Sequence, residues 1–161
     1  MNERSRIHQL TVRLLECLRE LDWVPILLVR LSVGVFFFES GRGKLFFKLE
    51  ELGEYFVQLG IPFPHFNATF VASIEFIGGI CLVLGVLTRV FAAPLAFTML
   101  VAILTAQLGK VNTVGDFLYL REVLLLVILV WLVFSGPGKI SFDHVISRKF
   151  GLGAGAAEKS P

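Results

Sequence analysis

Long apolar runs alternate along the chain with short polar segments, and the lengths of these runs predict membrane-spanning helices. Crossing about 30 Å of hydrocarbon takes roughly 20 helical residues. The nearly unbroken apolar stretch over residues 70–108 therefore predicts two spans, separated at Thr88 and Arg89. One further span is predicted on each side of this stretch. The four predicted spans cover about 23–41, 69–87, 91–108 and 117–135.

The segments outside these spans have patterns of their own. Over residues 1–22, apolar positions recur every three to four residues, which predicts an amphipathic helix lying at the membrane interface. Residues 45–66 are too short and too charged to span, and they predict a half-buried cap over one mouth of the bundle, with a helix that ends by Gly60. The membrane domain then covers residues 23–148, and the Gly- and Ala-rich residues 149–161 predict a disordered tail.

Basic residues outside the spans are distributed unevenly between the two sides of the predicted bundle. Most of them fall in the N-terminal segment, in the turn at Arg89 and in the C-terminal segment, and fewer fall near residues 45–66 and Lys110. Because short loops rich in Lys and Arg stay in the cytoplasm, both termini are predicted to be cytoplasmic and the cap extracytoplasmic. The predicted fold is thus all-α, an integral membrane four-helix bundle with both termini cytoplasmic.

Composition supports a membrane protein and excludes other classes. The 161 residues are 55% hydrophobic and 17% charged, whereas soluble domains are about 45 to 50% apolar and about 25% charged. The formal charge is only +2 and the basic residues are scattered, so the predicted partner is the lipid bilayer and no nucleic-acid partner is predicted. Cys17 and Cys81 form no ligand-spaced motif and no histidines are paired, so no metal site and no intrinsic cofactor are predicted.

Charged residues within or beside the spans are the candidate functional groups. Each charge inside a span costs about 2.5 to 3.5 kcal/mol on insertion scales, so it needs a partner or a purpose. At about 1.5 Å per residue, most of these groups fall in the same outer third of the membrane, whereas Arg30 lies nearer the cytoplasmic face. No catalytic residue is assigned. The candidates for ligand binding or proton relay are Arg30, Glu39, Lys44, Glu75, Arg121 and Glu122.

Two interpretations of this cluster stay open at the level of sequence. In the first, Arg121 neutralises Glu39 or Glu75, and the remaining carboxyl group exchanges protons with a bound molecule. In the second, the charges are structural clamps that fix helix register in a medium with little hydrophobic drive between helices. The two interpretations differ in whether a ligand is present.

An ordered set of short motifs runs along the chain, consisting of Arg30 with Gly34, ESGRGK at 39–44, LGIPFP at 59–64, EFIGGI at 75–80, LGVLTR at 84–89 and GPGKISFD at 136–143. In this order the motifs resemble the DoxX family of small membrane proteins. The resemblance runs from Arg30 to about residue 146. It implies a four-helix, multi-pass protein of the bacterial inner membrane. The family name is tied to a subunit of a thiosulfate:quinone oxidoreductase and to membrane-associated redox or stress complexes.

The resemblance implies a role in redox chemistry, although the chain has no paired cysteines, nucleotide motif or haem ligands that would make a self-sufficient catalytic centre. Our first hypothesis is a redox-associated membrane subunit that binds a quinone-like or other small amphiphilic molecule, with Arg121 holding its carbonyl and Glu75 exchanging its proton. Its partners would be soluble redox enzymes, a second membrane subunit or further copies of the chain. The alternatives are a small-molecule transporter or exporter, and a membrane scaffold that recruits soluble enzymes.

Overall fold

The computed structural model describes residues 21, 23–107, 109, 111, 113–136, 138 and 141. The interfacial helix predicted for residues 1–22 lies, apart from Leu21, outside the described residues. The tail predicted for residues 149–161 lies outside them as well.

The described part of the chain is helical and contains no strand, which confirms the predicted all-α fold. The helices are α1 (Trp23–Phe47), α2 (Leu49–Gln58), α3 (Pro64–Leu84), α4 (Thr88–Ala102), α5 (Val114–Leu118) and α6 (Arg121–Ser135), and α4 continues as a π-helical turn over Ile103–Gln107.

Three of these helices are long and apolar enough to cross a membrane: α1, α3, and α4 together with its π-helical turn. Helix α6 has 15 residues, which at 1.5 Å per residue is about 22 Å and less than the hydrocarbon thickness. Three helices therefore support the assignment of a multi-pass membrane fold. The fourth span and the cytoplasmic location of both termini stay predictions.

Helices α1 and α3 form one closely packed pair. A Cβ atom added at Gly41 of α1 would overlap the backbone of Phe76, and one added at Gly79 of α3 would overlap the backbone of Phe38. Without side chains at these positions, the two backbones approach directly, as small residues allow in membrane proteins. Helix α1 therefore has a fixed position along α3.

Helices α4 and α6 form the second pair, and the core lies where the two pairs meet. Phe37, Leu82, Leu95 and Leu129 are fully buried there. The two pairs touch closely at Gly78, where an added Cβ would lie 2.9 Å from Leu95 Cδ1. Because lipid is itself apolar, this contact gains no hydrophobic free energy. It stabilises the bundle through dispersion energy and fixes the position of the two helices.

The long helices alternate in direction, so the bundle has two chemically different ends. At the Lys44 end, α1 and α4 finish and α3 and α6 begin, with α2 packed against α3. At the Arg30 end, the buried Arg30 lies against the turn at Gly85, whose φ of +69° closes α3 in the left-handed conformation that glycine adopts without strain. Arg89 Nη2 donates a hydrogen bond of 3.2 Å to the carbonyl of Phe134 there.

Candidate functional site

A cavity of about 460 Å³ lies at the Lys44 end, between the α1–α3 pair and the α4–α6 pair. Its volume is within the range of about 300 to 1,000 Å³ that is typical of small-molecule sites. Each long helix contributes to its wall, and the α2 segment covers its mouth. Most of the lining is apolar, with a small number of polar groups, the composition that such sites usually have.

A buried ion pair forms the polar part of the cavity wall. Lys44 Nζ lies 2.6 Å from both carboxylate oxygens of Glu75, and Ser40 Oγ donates a hydrogen bond of 2.9 Å to Glu75 Oε2. The Glu75 side chain is 1% exposed, whereas that of Lys44 is 32% exposed. The carboxylate is therefore fixed by two donors, while the ammonium reaches it from the more open part of the cavity.

The local structure of α1 explains why these donors meet Glu75. Ser40 and Lys44 are four residues apart and so lie on one face of the helix. Helix α1 continues through Gly41 to Phe47, past its predicted end at residue 41. Close packing at Gly41 holds this face against α3 next to Glu75.

A second pair of charges lies on α6, across the cavity. Arg121 Nη2 is 3.5 Å from Glu122 Oε1, with side-chain exposures of 69% and 14%. The Arg121 guanidinium carbon lies 5.2 Å from the ring centroid of Phe36, a cation–π contact between α6 and α1. Glu122 sits in the first turn of its helix, where the dipole stabilises a carboxylate.

The structure places the remaining two candidates away from the cavity. Glu39 Oε2 pairs with Arg42 Nη2 at 2.7 Å, and both side chains are about half exposed. Arg30 is buried at the opposite end of the bundle, against Gly85. The geometry thus brings together Lys44, Glu75, Arg121 and Glu122, and it differs from the expected pairing, because the cation beside Glu75 is Lys44 rather than Arg121.

Helix α2 covers the mouth of the cavity, in the region where a cap was predicted. Its apolar face contributes Leu52, Tyr55 and Phe56 to the lining. Glu50, Glu51 and Glu54 are exposed on the other face. This amphipathic arrangement turns the apolar face of α2 toward the cavity and its carboxylates away from it. The helix ends at Gln58, before Gly60, as its sequence predicts.

Some lining residues carried no assignment at the level of sequence. Ser40 lies inside the ESGRGK motif, but nothing in a single sequence distinguishes it from other serines. The π-helical turn also lines the cavity, through residues such as Thr105 and Gln107. Such turns are often found at functional sites, yet no known residue pattern marks them in advance. Among the described residues, no cluster of His, Cys, Asp and Glu is arranged to hold a metal ion.

The site therefore combines an apolar chamber with two internally balanced charge pairs. Lys44 can donate to an acceptor in the cavity, and Glu75 can accept a proton from a donor there. Arg121 and Glu122 present the same two chemistries from the opposite wall. Such a chamber suits a small molecule that is mostly apolar and has an uncharged polar head.

Comparisons with known proteins agree with this membrane architecture. A model of the DoxX family matches residues 26–108. "Uncharacterized membrane protein Rv3486" of Mycobacterium tuberculosis (strain ATCC 25618 / H37Rv) is 32% identical over 136 residues, covering 77% of this chain and 82% of the relative. "Putative oxidoreductase CatD" of Bacillus subtilis (strain 168) is 32% identical over 125 residues, covering 78% and 89%.

A third relative connects the chain to a particular membrane. "Inner membrane protein YqjF" of Escherichia coli (strain K12) is 27% identical over 134 residues, which cover 83% of this chain and all of the relative. No solved structure matches the chain. The family match spans more than half of the chain and, apart from the first three residues of α1, includes the three helices that are long and apolar enough to cross a membrane. The chain therefore belongs to the DoxX family and is a multi-pass inner-membrane protein.

Proposed function

We propose that this protein is a membrane subunit of a redox assembly and that its cavity holds a quinone-like amphiphile with its polar head at the Lys44–Glu75 pair. The observation that carries the proposal is the ion pair itself, which is buried in the wall of an otherwise apolar cavity of about 460 Å³. Ionisable groups inside membrane proteins mark ligand and proton pathways more often than they serve packing alone.

The chemistry of the pair fits a carbonyl head group. Lys44 Nζ carries three protons, so it can contact Glu75 and still donate to an acceptor in the cavity. Glu75 is the nearest base to that acceptor, and it can take up or return a proton. A bound quinone would supply the electron- and proton-carrying chemistry, while this chain would position the head and exclude water.

The redox association draws support from one relative. The protein named "Putative oxidoreductase CatD" aligns with 78% of this chain. We propose that the electrons are handled by a partner, either a soluble enzyme or another membrane subunit. The bilayer is the remaining partner, since the three apolar helices contact lipid.

Four variants test whether the pair binds a ligand or only clamps two helices. They are Lys44→Met, Glu75→Gln, the double variant Lys44→Met/Glu75→Gln, and the control Glu39→Gln, which changes a carboxylate outside the cavity. Each is reconstituted in lipid nanodiscs with a decyl-tailed benzoquinone. Native mass spectrometry measures the bound probe, and thermal unfolding measures stability.

We expect Lys44→Met to lose stability on the order of 3 kcal/mol, because it leaves the Glu75 carboxylate buried without its cation. The double variant should regain much of that loss, since no uncompensated charge remains. All variants of the pair should lose the probe, whereas Glu39→Gln should keep it. A double variant that is stable and still binds the probe would contradict the proposal and favour the clamp.

A further inference from the structure

The cavity has four sides on which a ligand could enter, and the packing of the helices distinguishes them. On one side, α3 and α4 touch at Gly78 and Leu95. From this contact toward the Lys44 end, both helices line the cavity. Helix α3 does so from Glu75 to Asn67, and helix α4 does so from Phe97 onward. The two helices therefore diverge from Gly78 toward the Lys44 end, leaving a space that we call the α3–α4 gap.

Two phenylalanines flank the α3–α4 gap, one on each helix. Phe70 of α3 and Phe97 of α4 both line the cavity, and they are also 53% and 65% exposed. Both helices are apolar enough to cross the membrane, so the outside of the bundle at these positions is lipid. The same two side chains thus face the cavity and the hydrocarbon of the bilayer.

The other sides of the cavity are lined differently. The apolar face of α2, with Leu52 and Phe56, lies over the mouth that would lead to water. Between α1 and α6, the Arg121 guanidinium rests on the ring of Phe36. Toward the Arg30 end, the buried side chains of the core fill the bundle. Among the described lining residues, Phe70 and Phe97 are the exposed apolar side chains that belong to helices able to cross the membrane. The exposed Arg121 on the α1–α6 side is charged.

We propose that the ligand enters laterally from the bilayer through the α3–α4 gap, and that its hydrocarbon tail stays in this gap between Phe70 and Phe97. The inference rests on the proposed function and adds the class of ligand, a membrane-dissolved amphiphile with a long apolar tail rather than a water-soluble metabolite. The polar head reaches Lys44 and Glu75, while the tail keeps its contact with lipid and needs no space in the cavity.

Photolabelling tests the position of the tail directly. The probe is a benzoquinone whose decyl tail ends in a photoreactive diazirine, added to the full chain in nanodiscs. After irradiation, mass spectrometry of peptides locates the label. We expect the label on α3 and α4 near Phe70 and Phe97, and we expect an excess of tail-free benzoquinone to remove it. Label on α2, or on the facing sides of α1 and α6, would overturn the inference.

A substitution in the gap tests the route of entry. Phe97→Trp places a larger ring beside the opening, and we expect the bound probe to appear several-fold more slowly than in wild-type protein. The control is Phe134→Trp, an exposed phenylalanine of α6 at the Arg30 end. Equal rates in both variants would overturn lateral entry.

The outcomes separate this inference from the proposed function. If wild-type protein shows no label that tail-free benzoquinone removes, and Glu75→Gln behaves identically, the proposed function itself fails. If binding depends on Glu75 but the tail labels α2, the proposed function stands and lateral entry fails.

Discussion

At the scale of single residues, the structure gives two carboxylates of α1 and α3 very different environments. Glu39 pairs with Arg42 at the surface, with both side chains about half exposed. Exposed pairs of this kind contribute about 0 to 1 kcal/mol. Glu75 is 1% exposed and has both Lys44 and Ser40 as donors. Both residues are glutamates. Their burial and their hydrogen-bond partners, not their residue type, therefore decide which of the two carboxylates lines the cavity.

A conservative substitution at Ser40 tests how much its hydrogen bond to Glu75 contributes to stability. Ser40→Ala removes the hydrogen bond of 2.9 Å to the buried carboxylate without adding volume. A hydrogen bond to a charged group is worth about 1.5 to 3 kcal/mol, and we expect a destabilisation near the lower value because Lys44 remains. Thermal unfolding in detergent measures the change. Ser32→Ala, on an exposed position of the same helix, is the matched control and should be close to neutral; equal effects in the two variants would exclude a special role for Ser40.

At the scale of helices, the sequence predicts where the elements are better than where they end. Helix α3 begins at Pro64, rather than at about 69, because proline fits the first helical turn, where its missing N–H is not needed. Helix α1 runs to Phe47, rather than to about 41, because Gly41 is a contact with α3 and not a helix stop. Neither reason can be inferred from apolar run length alone.

These helix ends explain how the site departs from its prediction. The longer α1 carries Lys44 inside the bundle, whereas the predicted end at residue 41 left it in a loop. Counting residues gives the depth of a side chain but not its direction around the helix axis. The sequence therefore suggested Arg121 as the cation for Glu39 or Glu75, whereas packing at Gly41 brings Lys44 to Glu75. The orientation of α1 that turns Lys44 toward Glu75 also turns Glu39 away from the cavity, so Glu39 is exposed.

Two glycines of α1 test the role of helix packing. Gly41→Ala would force the Cβ into the backbone of Phe76, whereas a Cβ at Gly43 meets no atom within 4 Å. Both changes raise helix propensity by about 1 kcal/mol. We therefore expect Gly43→Ala to be neutral or stabilising, and Gly41→Ala to destabilise by about 1 to 3 kcal/mol through overpacking. Thermal unfolding and binding of the decyl-tailed benzoquinone are measured together.

The result that tests helix packing is the difference in stability between the Gly41→Ala and Gly43→Ala variants. Gly41→Ala should also weaken probe binding, because separation of α1 from α3 moves Lys44 away from Glu75. If both variants unfold at the same temperature as wild type, the close approach of α1 and α3 is not required for the fold.

At the scale of the whole molecule, three helices account for the membrane fold. Whether α6 also crosses the membrane decides on which side the C-terminus lies. The positive-inside prediction places residues 45–66 outside and both termini in the cytoplasm. Single cysteines test it in spheroplasts of a chain whose own cysteines are replaced by alanine. Glu51→Cys should react with a membrane-impermeant maleimide added outside, whereas Leu87→Cys and Lys159→Cys should react only after lysis. Reaction of Lys159→Cys from outside would mean that α6 does not cross.

The mutual neutralisation of Lys44 and Glu75 has an electrical consequence as well. An unpaired charge moved fully across a membrane at 100 mV gains or loses about 2.3 kcal/mol. A pair joined at 2.6 Å has no net charge on which this field can act. Occupation of the cavity by an uncharged head group should therefore be the same in energised and de-energised membranes. As long as Glu75 keeps its negative charge, the ion pair therefore places two charged groups in the cavity wall without coupling ligand binding to the voltage across the membrane.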